Sequence, residues 1–193
     1  MSKASPTART PPDRQVRAES PGADRGAIVI IEVSAECGDV RINNERLFAV
    51  IKTYSSPSEI SETLLERTGD ALLSHDFDSF ADCFFIPYGI ETVNGKRTIG
   101  SRENLNLTFD AVHAHLLKQQ VTIMARHCVS ASFRSPNEVA ATHETRLISR
   151  DILVQDPYPA FSLIKRQPNG VWKVAFTSYV IVDSADLNNA LHA

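Results

Sequence analysis

The sequence predicts an α+β fold in which a cone-shaped, curved and mostly antiparallel sheet wraps around three N-terminal helices. Two observations lead to this prediction. Apart from one hairpin, apolar residues repeat with helical spacing between Ser56 and Gln120 and with the alternation of strands after it. The elements follow the order helix, helix, hairpin, helix and then four strands. That order provides a single helical layer, so the sheet should curl around it.

Composition restricts the classes of function. The chain has 193 residues, 42% of them hydrophobic, and a net charge of −3, which is typical of a globular protein without a nucleic-acid partner or a membrane-binding basic patch. The longest wholly apolar run, residues 27–31, is too short to span a bilayer, and no signal peptide is expected. The three cysteines are odd in number and far apart, which argues against a disulfide framework or a zinc site. A cytoplasmic location is therefore expected.

The chain divides into four parts by composition. Residues 1–26 are rich in proline, serine, arginine and glycine and are expected to form a disordered tail. Residues 27–55 are a poorly defined N-terminal extension. The folded domain is predicted over residues 56–184, and residues 185–193 are expected to form a C-terminal tail, with His192 frayed.

The first helix is predicted to begin at a capping box. Ser56 can cap it, Pro57 suits its first position, and Glu59 completes the box. Gly69 marks a close contact, and the helix should end near Ser74. Its apolar stripe consists of Ile60, Leu64, Ala71 and Leu72.

A short second helix and a hairpin should follow. Asp76 can cap the helix, and Pro87 prevents its continuation. The hairpin is expected to pair residues 89–93 with residues 96–99 around an Asn94-Gly95 turn. The apolar positions of the second helix are Phe77, Phe80, Ala81 and Phe84.

Ser101 is predicted to cap a third helix, after which the chain changes to strands. The apolar stripe of this helix is Leu105, Phe109, Val112 and Leu116. The predicted strands are two pairs, residues 121–134 with 138–150 and residues 159–166 with 171–182. Each pair is joined by a turn rich in proline and asparagine.

Four sequence segments of this chain resemble those of the nuclear transport factor 2-like superfamily, including its SnoaL-like and ketosteroid-isomerase-like members. They are FADCFF, IETVNGKRTIG, ENLNLTFDAV and NGVWKVAFTSYVIV, and the resemblance covers about residues 56–183. It implies the cone-shaped fold and a homodimer that pairs through the outer face of the sheet. It does not imply one function, because this fold hosts enzymes, binding proteins and assembly domains.

The resemblance also implies where an isomerase-type general base would lie. Aligned on the hairpin strand, that position is Thr92, whose hydroxyl cannot act as a base near neutral pH. Glu91 cannot replace it, because neighbouring strand residues point to opposite faces of the sheet. A steroid-isomerase mechanism is therefore not expected.

Two histidines are predicted to face the concave side of the sheet. His127 and His143 lie in phase with the apolar residues of two adjacent strands, so pairing places His127 near Thr145 and His143 near Val129. They are interpreted either as a polar centre in an apolar pocket or as hydrogen-bonded core residues. A metal site is not expected, since no carboxylate lies in phase with them.

Other residues complete the candidate pocket. Glu144 and Arg146, with Arg126 in the alternate phase of its strand, are expected on the outer face unless a β-bulge reverses the assignment. Tyr88 and, more weakly, Tyr158 are candidate hydrogen-bond donors at the rim. The pocket-lining candidates are Phe85, Tyr88, Thr92, Phe109, His113, His127, His143 and Trp172.

Two hypotheses of function remain. The first is a SnoaL-like pocket protein that binds a small apolar molecule, with proton-transfer chemistry of the isomerase, cyclase or dehydratase type carried by His127, His143 and Tyr88. The second is a non-catalytic homodimeric module for protein interaction or assembly. Neither requires a cofactor, and the sequence does not decide whether the protein is an enzyme.

Overall fold

The computed structural model describes Tyr54 and residues 56–193. The predictions for residues 1–26, and those for residues 27–55 apart from Tyr54, lie outside the described residues. Within the described part, the helices are α1 (Pro57–Ser74), α2 (Phe77–Ala81), α3 (Arg102–Lys118) and α4 (Ala185–Leu191). The strands are β1 (Phe84–Thr92), β2 (Gly95–Ile99), β3 (Ile123–Ser135), β4 (Glu138–Ser149), β5 (Ile152–Leu153), β6 (Tyr158–Arg166) and β7 (Trp172–Tyr179).

The helix starts follow the capping chemistry that the sequence predicts. Oγ of Ser56 accepts a hydrogen bond from the backbone N–H of Glu59 at 3.1 Å, and Oγ of Ser101 accepts one from Asn104 at 3.2 Å. The Asp76 carboxylate caps α2 in the same way through Ser79. Each cap satisfies a backbone donor that a helix start otherwise leaves unpaired.

The predicted apolar stripes of α1 and α3 form the helical side of the core. All eight positions are buried, with exposed fractions from 1% to 7%: Ile60, Leu64, Ala71, Leu72, Leu105, Phe109, Val112 and Leu116. Helical spacing places these side chains on one face, which packs against the concave side of the sheet.

The sheet has the strand order β2-β1-β7-β6-β4-β3, with the short β5 paired to β4. Its pairs are antiparallel except β1 with β7, which run parallel. The helix α1 packs against β3, β4 and β7, while α3 packs against α1, α2 and α4. The predicted α+β class, with a mostly antiparallel sheet around the helices, is confirmed.

Two local predictions need correction. The hairpin turn consists of Val93 and Asn94, because Thr92 pairs with Gly95, and Oγ1 of Thr92 accepts the N–H of Asn94 at 3.1 Å. Gly95 follows the turn with a φ of +124°, a conformation that glycine adopts without strain. Phe84 begins β1 instead of continuing α2, since it pairs with Val174 of β7.

The last residues form a helix where a frayed terminus was expected. Ser184 caps α4, which buries Leu187 and Leu191 against the core, and Asn188 donates a hydrogen bond from Nδ2 to the carbonyl of Ile181 at 2.8 Å. Lys118 of α3 pairs with Asp186 at 2.9 Å. The seven-residue helix carries too few apolar positions for its periodicity to be distinctive in the sequence.

The β3–β4 register differs from the predicted one. His127 lies opposite Glu144, Cys128 opposite His143, and the register shifts between Cys128 and Ser130. Such a bulge places two residues of one strand against one of its partner and reverses which side chains point inward. On β3 before the bulge, the inward residues are therefore Met124 and Arg126.

In residues 56–193, none of the helices is long and apolar enough to cross a membrane.

Candidate functional site

A cavity of about 80 Å³ lies between the concave side of the sheet and the helices α1 and α3. Its apolar wall includes Leu64, Leu72, Phe80, Phe109, Val112 and Ile164. Leu187 and Leu191 of α4 also reach it, so the C-terminal helix closes one side. The volume is smaller than that of sites for drug-sized ligands but sufficient for several water molecules or a small organic molecule.

Polar side chains line the sheet side of the same cavity. Arg126 of β3, His143 and Thr145 of β4, Ser162 of β6 and Thr177 of β7 all face it. The hydroxyls of Ser162 and Thr177 lie 3.3 Å apart. Adjacent strands thus present one polar patch inside an otherwise apolar interior.

Arg126 is the charged member of this patch. Its Nη2 donates hydrogen bonds to the carbonyl oxygen of Leu65 and, at 2.8 Å, to Oγ1 of Thr68, both on α1. Its Nε is buried and has no hydrogen-bond partner. Burial lowers the pKa of the Arg126 guanidinium, but an arginine remains charged at neutral pH. Among the described residues, no carboxylate forms an ion pair with it.

Gly69 provides the space that the guanidinium occupies. A Cβ atom at this position would lie 2.8 Å from Nη2 of Arg126. Real Cβ atoms do not approach that closely, so any other residue would require the guanidinium to shift from this position. The close contact that the sequence predicts at Gly69 is therefore made by Arg126.

His143 is the second polar group without a partner. The residue is 3% exposed, and its buried Nδ1 has no hydrogen-bond partner. Burial, followed by the charges of Arg126 and His127, lowers the pKa of His143 to about 4. The ring is therefore neutral at pH 7 and carries one N–H donor and one acceptor nitrogen.

Three tyrosines complete the surroundings. Tyr88, Tyr158 and Tyr179 line the cavity. Burial raises the pKa of Tyr88 well above its usual value, as does the neighbouring Tyr179, and burial also raises the pKa of Tyr158. Tyr88 and Tyr158 therefore remain protonated and act as neutral hydrogen-bond donors or acceptors.

The same architecture occurs in solved structures. A protein with a cystatin-like fold from Novosphingobium aromaticivorans matches with a TM-score of 0.52 and 16% identity, covering 70% of this chain and 88% of its own. A protein of unknown function from Shewanella oneidensis matches with 0.51 and 12%, covering 65% and 100%. Both are described as nuclear transport factor 2-like. This chain has the nuclear transport factor 2-like fold.

A further structural comparison also supports the fold without indicating a function. A ketosteroid isomerase-like protein from Erwinia carotovora atroseptica matches with a TM-score of 0.50 and 11% identity, covering 68% of this chain and 100% of its own. No protein-family profile matches the chain, and no curated protein matches it. At these identities the likeness establishes the fold and leaves activity open.

Within this nuclear transport factor 2-like fold, Tyr88, Phe109 and His143 line the cavity, as the sequence suggests. Phe85 is half-buried and does not line it, because the register of β1 against β7 shifts between Phe84 and Gly89 and Phe84 takes the inward place. Trp172 is buried away from the cavity, beside Phe133 at a centroid distance of 6.1 Å.

Thr92 and His113 are occupied by structural contacts outside the cavity. Oγ1 of Thr92 hydrogen-bonds Nε2 of His192 at 2.8 Å, so the chain after α4 covers the position of the isomerase base. Nδ1 of His113 hydrogen-bonds the carbonyl oxygen of Leu72 at 2.7 Å, and its ring stacks on His75 at 4.1 Å. Both groups are satisfied by the fold itself.

His127 requires the main correction. It is exposed and does not line the cavity, because the bulge in β3 gives the inward position to Arg126. The outward placement of Glu144 and Arg146 is confirmed, and the two side chains form an ion pair at 2.8 Å. Sequence reasoning therefore missed Arg126, and its only signal was the bulge considered as an alternative.

Metal ligands do not gather in residues 56–193, where no three histidine, cysteine, aspartate or glutamate side chains come together. Cys83 is buried and Cys128 half-buried, and both are free thiols. Burial raises the pKa of Cys83, which disfavours its reactive thiolate form.

Proposed function

We propose that this domain binds a small, largely apolar molecule in the cavity of the cone. The observation that carries the proposal is a cavity with apolar helical walls and one polar patch on the sheet side. Apolar walls supply affinity through the hydrophobic effect, and a few polar groups fix the orientation of the ligand.

Proton transfer is a second candidate, favoured by the unpartnered Nδ1 of His143. Of the three carriers suggested by the sequence, His143 and Tyr88 line the cavity and His127 does not. A neutral imidazole in an apolar site can accept a proton from a bound carbonyl compound. Its low pKa makes it a weak base, so binding remains the primary proposal.

A substitution that fills the cavity tests the binding proposal. Ser61 lines the cavity from α1, whereas Ser58 is exposed on the same helix. We expect cyclohexanone or hexanamide to raise the melting temperature of the wild type and of Ser58→Leu but not of Ser61→Leu, because the added side chain takes the ligand's space. Differential scanning fluorimetry measures the shift.

Overpacking can also destabilise a protein, so a milder variant is included. Val112→Leu adds one methylene group to the cavity wall and should reduce the ligand-induced shift without preventing folding. Equal stabilisation of all four proteins by the ligands would contradict binding in this cavity.

We also propose that the protein forms a homodimer through the outer face of the sheet, the surface on which the alternative role as an interaction module would depend. That face carries Phe161, 36% exposed, and Ile123, 49% exposed. Ile148 lies opposite Ile123, and Leu163 lies opposite Phe176. Burial of such side chains against a second copy of the chain lowers the free energy and so favours association.

Sedimentation velocity tests this association. The wild type should sediment as a dimer at micromolar concentration, and Phe161→Lys should shift it towards the monomer because the new charge would be buried in the interface. The control is Lys173→Glu, which changes the charge of a side chain on the neighbouring strand β7 but removes no apolar side chain. It should have less effect on association if apolar contact drives pairing. A wild-type mass of one chain would disprove the proposal.

A further inference from the structure

Arg126 presents a charge that no carboxylate of residues 56–193 neutralises through an ion pair. Its guanidinium lies between β3 and α1 and lines the apolar cavity, yet no carboxylate of the described residues pairs with it. Asp70 acts on Arg126 only at longer range. A charge drawn out of water without a counter-ion lowers the stability of the folded protein.

Its contacts with α1 satisfy only part of the group. The Leu65 carbonyl and the Thr68 hydroxyl both accept from Nη2, whereas the Nε–H remains buried and without an acceptor. A residue that only joined β3 to α1 could make such hydrogen bonds with a neutral side chain. It would need neither the unpaired Nε–H nor the positive charge. The arrangement therefore leaves room for an anionic acceptor inside the cavity.

A second unsatisfied group lies on the neighbouring strand. Arg126 is paired with Thr145, and His143 lies two residues before Thr145 on the same inward face of β4. Side chains in such diagonal positions lie about 7–8 Å apart at the backbone and are within mutual reach when they are long. Nδ1 of His143 is buried and unpartnered and lines the same cavity.

We propose that Nε of Arg126 and Nδ1 of His143 bind the carboxylate of an otherwise apolar ligand. The inference rests on the proposed binding function and specifies its ligand class. One carboxylate oxygen accepts the Nε–H of Arg126, and the other accepts the Nδ1–H of His143 in its neutral tautomer. The apolar remainder extends along the wall formed by Leu64, Phe109 and Val112. The small cavity favours short-chain aliphatic acids.

Comparing the binding of carboxylic acids with that of their neutral amides tests the carboxylate inference separately from the proposed binding function. Isothermal titration calorimetry at neutral pH would compare butyrate and hexanoate with butyramide and hexanamide, which have nearly the same shape. The proteins are the wild type, Arg126→Gln, Arg126→Lys and His143→Gln. Arg146→Gln is the matched control, because Arg146 lies on the outer face and pairs with Glu144.

We expect the wild type and Arg146→Gln to bind each acid at least about tenfold more tightly than its amide, a preference typical of a charge-assisted pair. Arg126→Gln should abolish the preference, Arg126→Lys should retain part of it, and His143→Gln should reduce it. Equal binding of acid and amide by the wild type would overturn the carboxylate inference and leave the binding function intact. Failure of all four compounds to bind would overturn both.

The stability of the ligand-free protein provides a second readout. If Arg126 is held for a ligand, Arg126→Met should melt at a higher temperature than the wild type, because an unpaired charge is replaced by an apolar side chain. If Arg126 serves only to join β3 to α1, the same variant should melt lower, since two hydrogen bonds are lost. A lower melting temperature together with unchanged acid preference would assign Arg126 a structural role and refute the proposal.

Discussion

Leu105→Ala is expected to lower the free energy of unfolding by about 3 kcal/mol or more, the cost of removing a fully buried leucine and leaving a cavity. Leu105 is 1% exposed and lies in the apolar stripe of α3. It also contributes to the cavity wall, so truncation enlarges a space that is already present. Urea denaturation monitored by circular dichroism measures the change.

Leu107→Ala is the matched control, because it makes the same chemical change two residues further along the same helix. Leu107 is 58% exposed, so its truncation should change the unfolding free energy by less than about 0.5 kcal/mol. Similar losses for the two variants would show that the inward stripe of α3 does not form the core described above.

The second large effect concerns acid stability. The pKa of His143 is lowered to about 4 in the folded protein, by burial first and then by Arg126 and His127, against about 6.5 in an unfolded chain. Between these values the unfolded state binds a proton that the folded state does not. Stability therefore falls as the pH decreases through 6.5 and stops falling near pH 4. Above pH 7 neither state is protonated, and the contribution vanishes.

From pH 7 to pH 5 this linkage amounts to about 2 kcal/mol. The glutamine of His143→Gln cannot be protonated. Between pH 7 and pH 5 the unfolding free energy of this variant should therefore fall by about 2 kcal/mol less than that of the wild type. The remaining buried histidine, His115, whose pKa is also lowered by burial, is present in both proteins and cancels in the comparison. If the unfolding free energies of the wild type and the variant fell by the same amount between pH 7 and pH 5, His143 would not be buried and neutral as described.

Local chemistry made much of the fold predictable. Ser56 and Ser101 cap helices through contacts only three residues away, and the periodic stripes between them depend on helical geometry alone. The long strands were equally evident from alternation. The exceptions were β5, with two residues, and α4, with seven, because their periodicity is too short to be recognised. The five-residue α2 was recognised because its Asp76 cap and its phenylalanines mark it.

The candidate site was less predictable, because it depends on a change of register. Phe109 and His143 were identified, since each lies in an element whose phase is uninterrupted at that point, and Tyr88 was identified from its place at the start of the hairpin strand. Arg126 and His127 exchanged roles, because the strand lacks any proline or glycine that would mark the bulge after Cys128. The position of Thr92 beneath the residues that follow α4 was also beyond local reasoning.

The sequence by itself determined the fold class, the order of its main elements and the absence of a carboxylate at the expected isomerase position, because these depend on residue type and local spacing. Tertiary structure alone decided that Arg126 points into the cavity, beside Gly69 and without a carboxylate partner among the described residues. That outcome arises from contacts between β3 and α1, segments about sixty residues apart. In a sheet, a single extra residue reverses which side chains face the interior, and only the packed partners determine where it is accommodated.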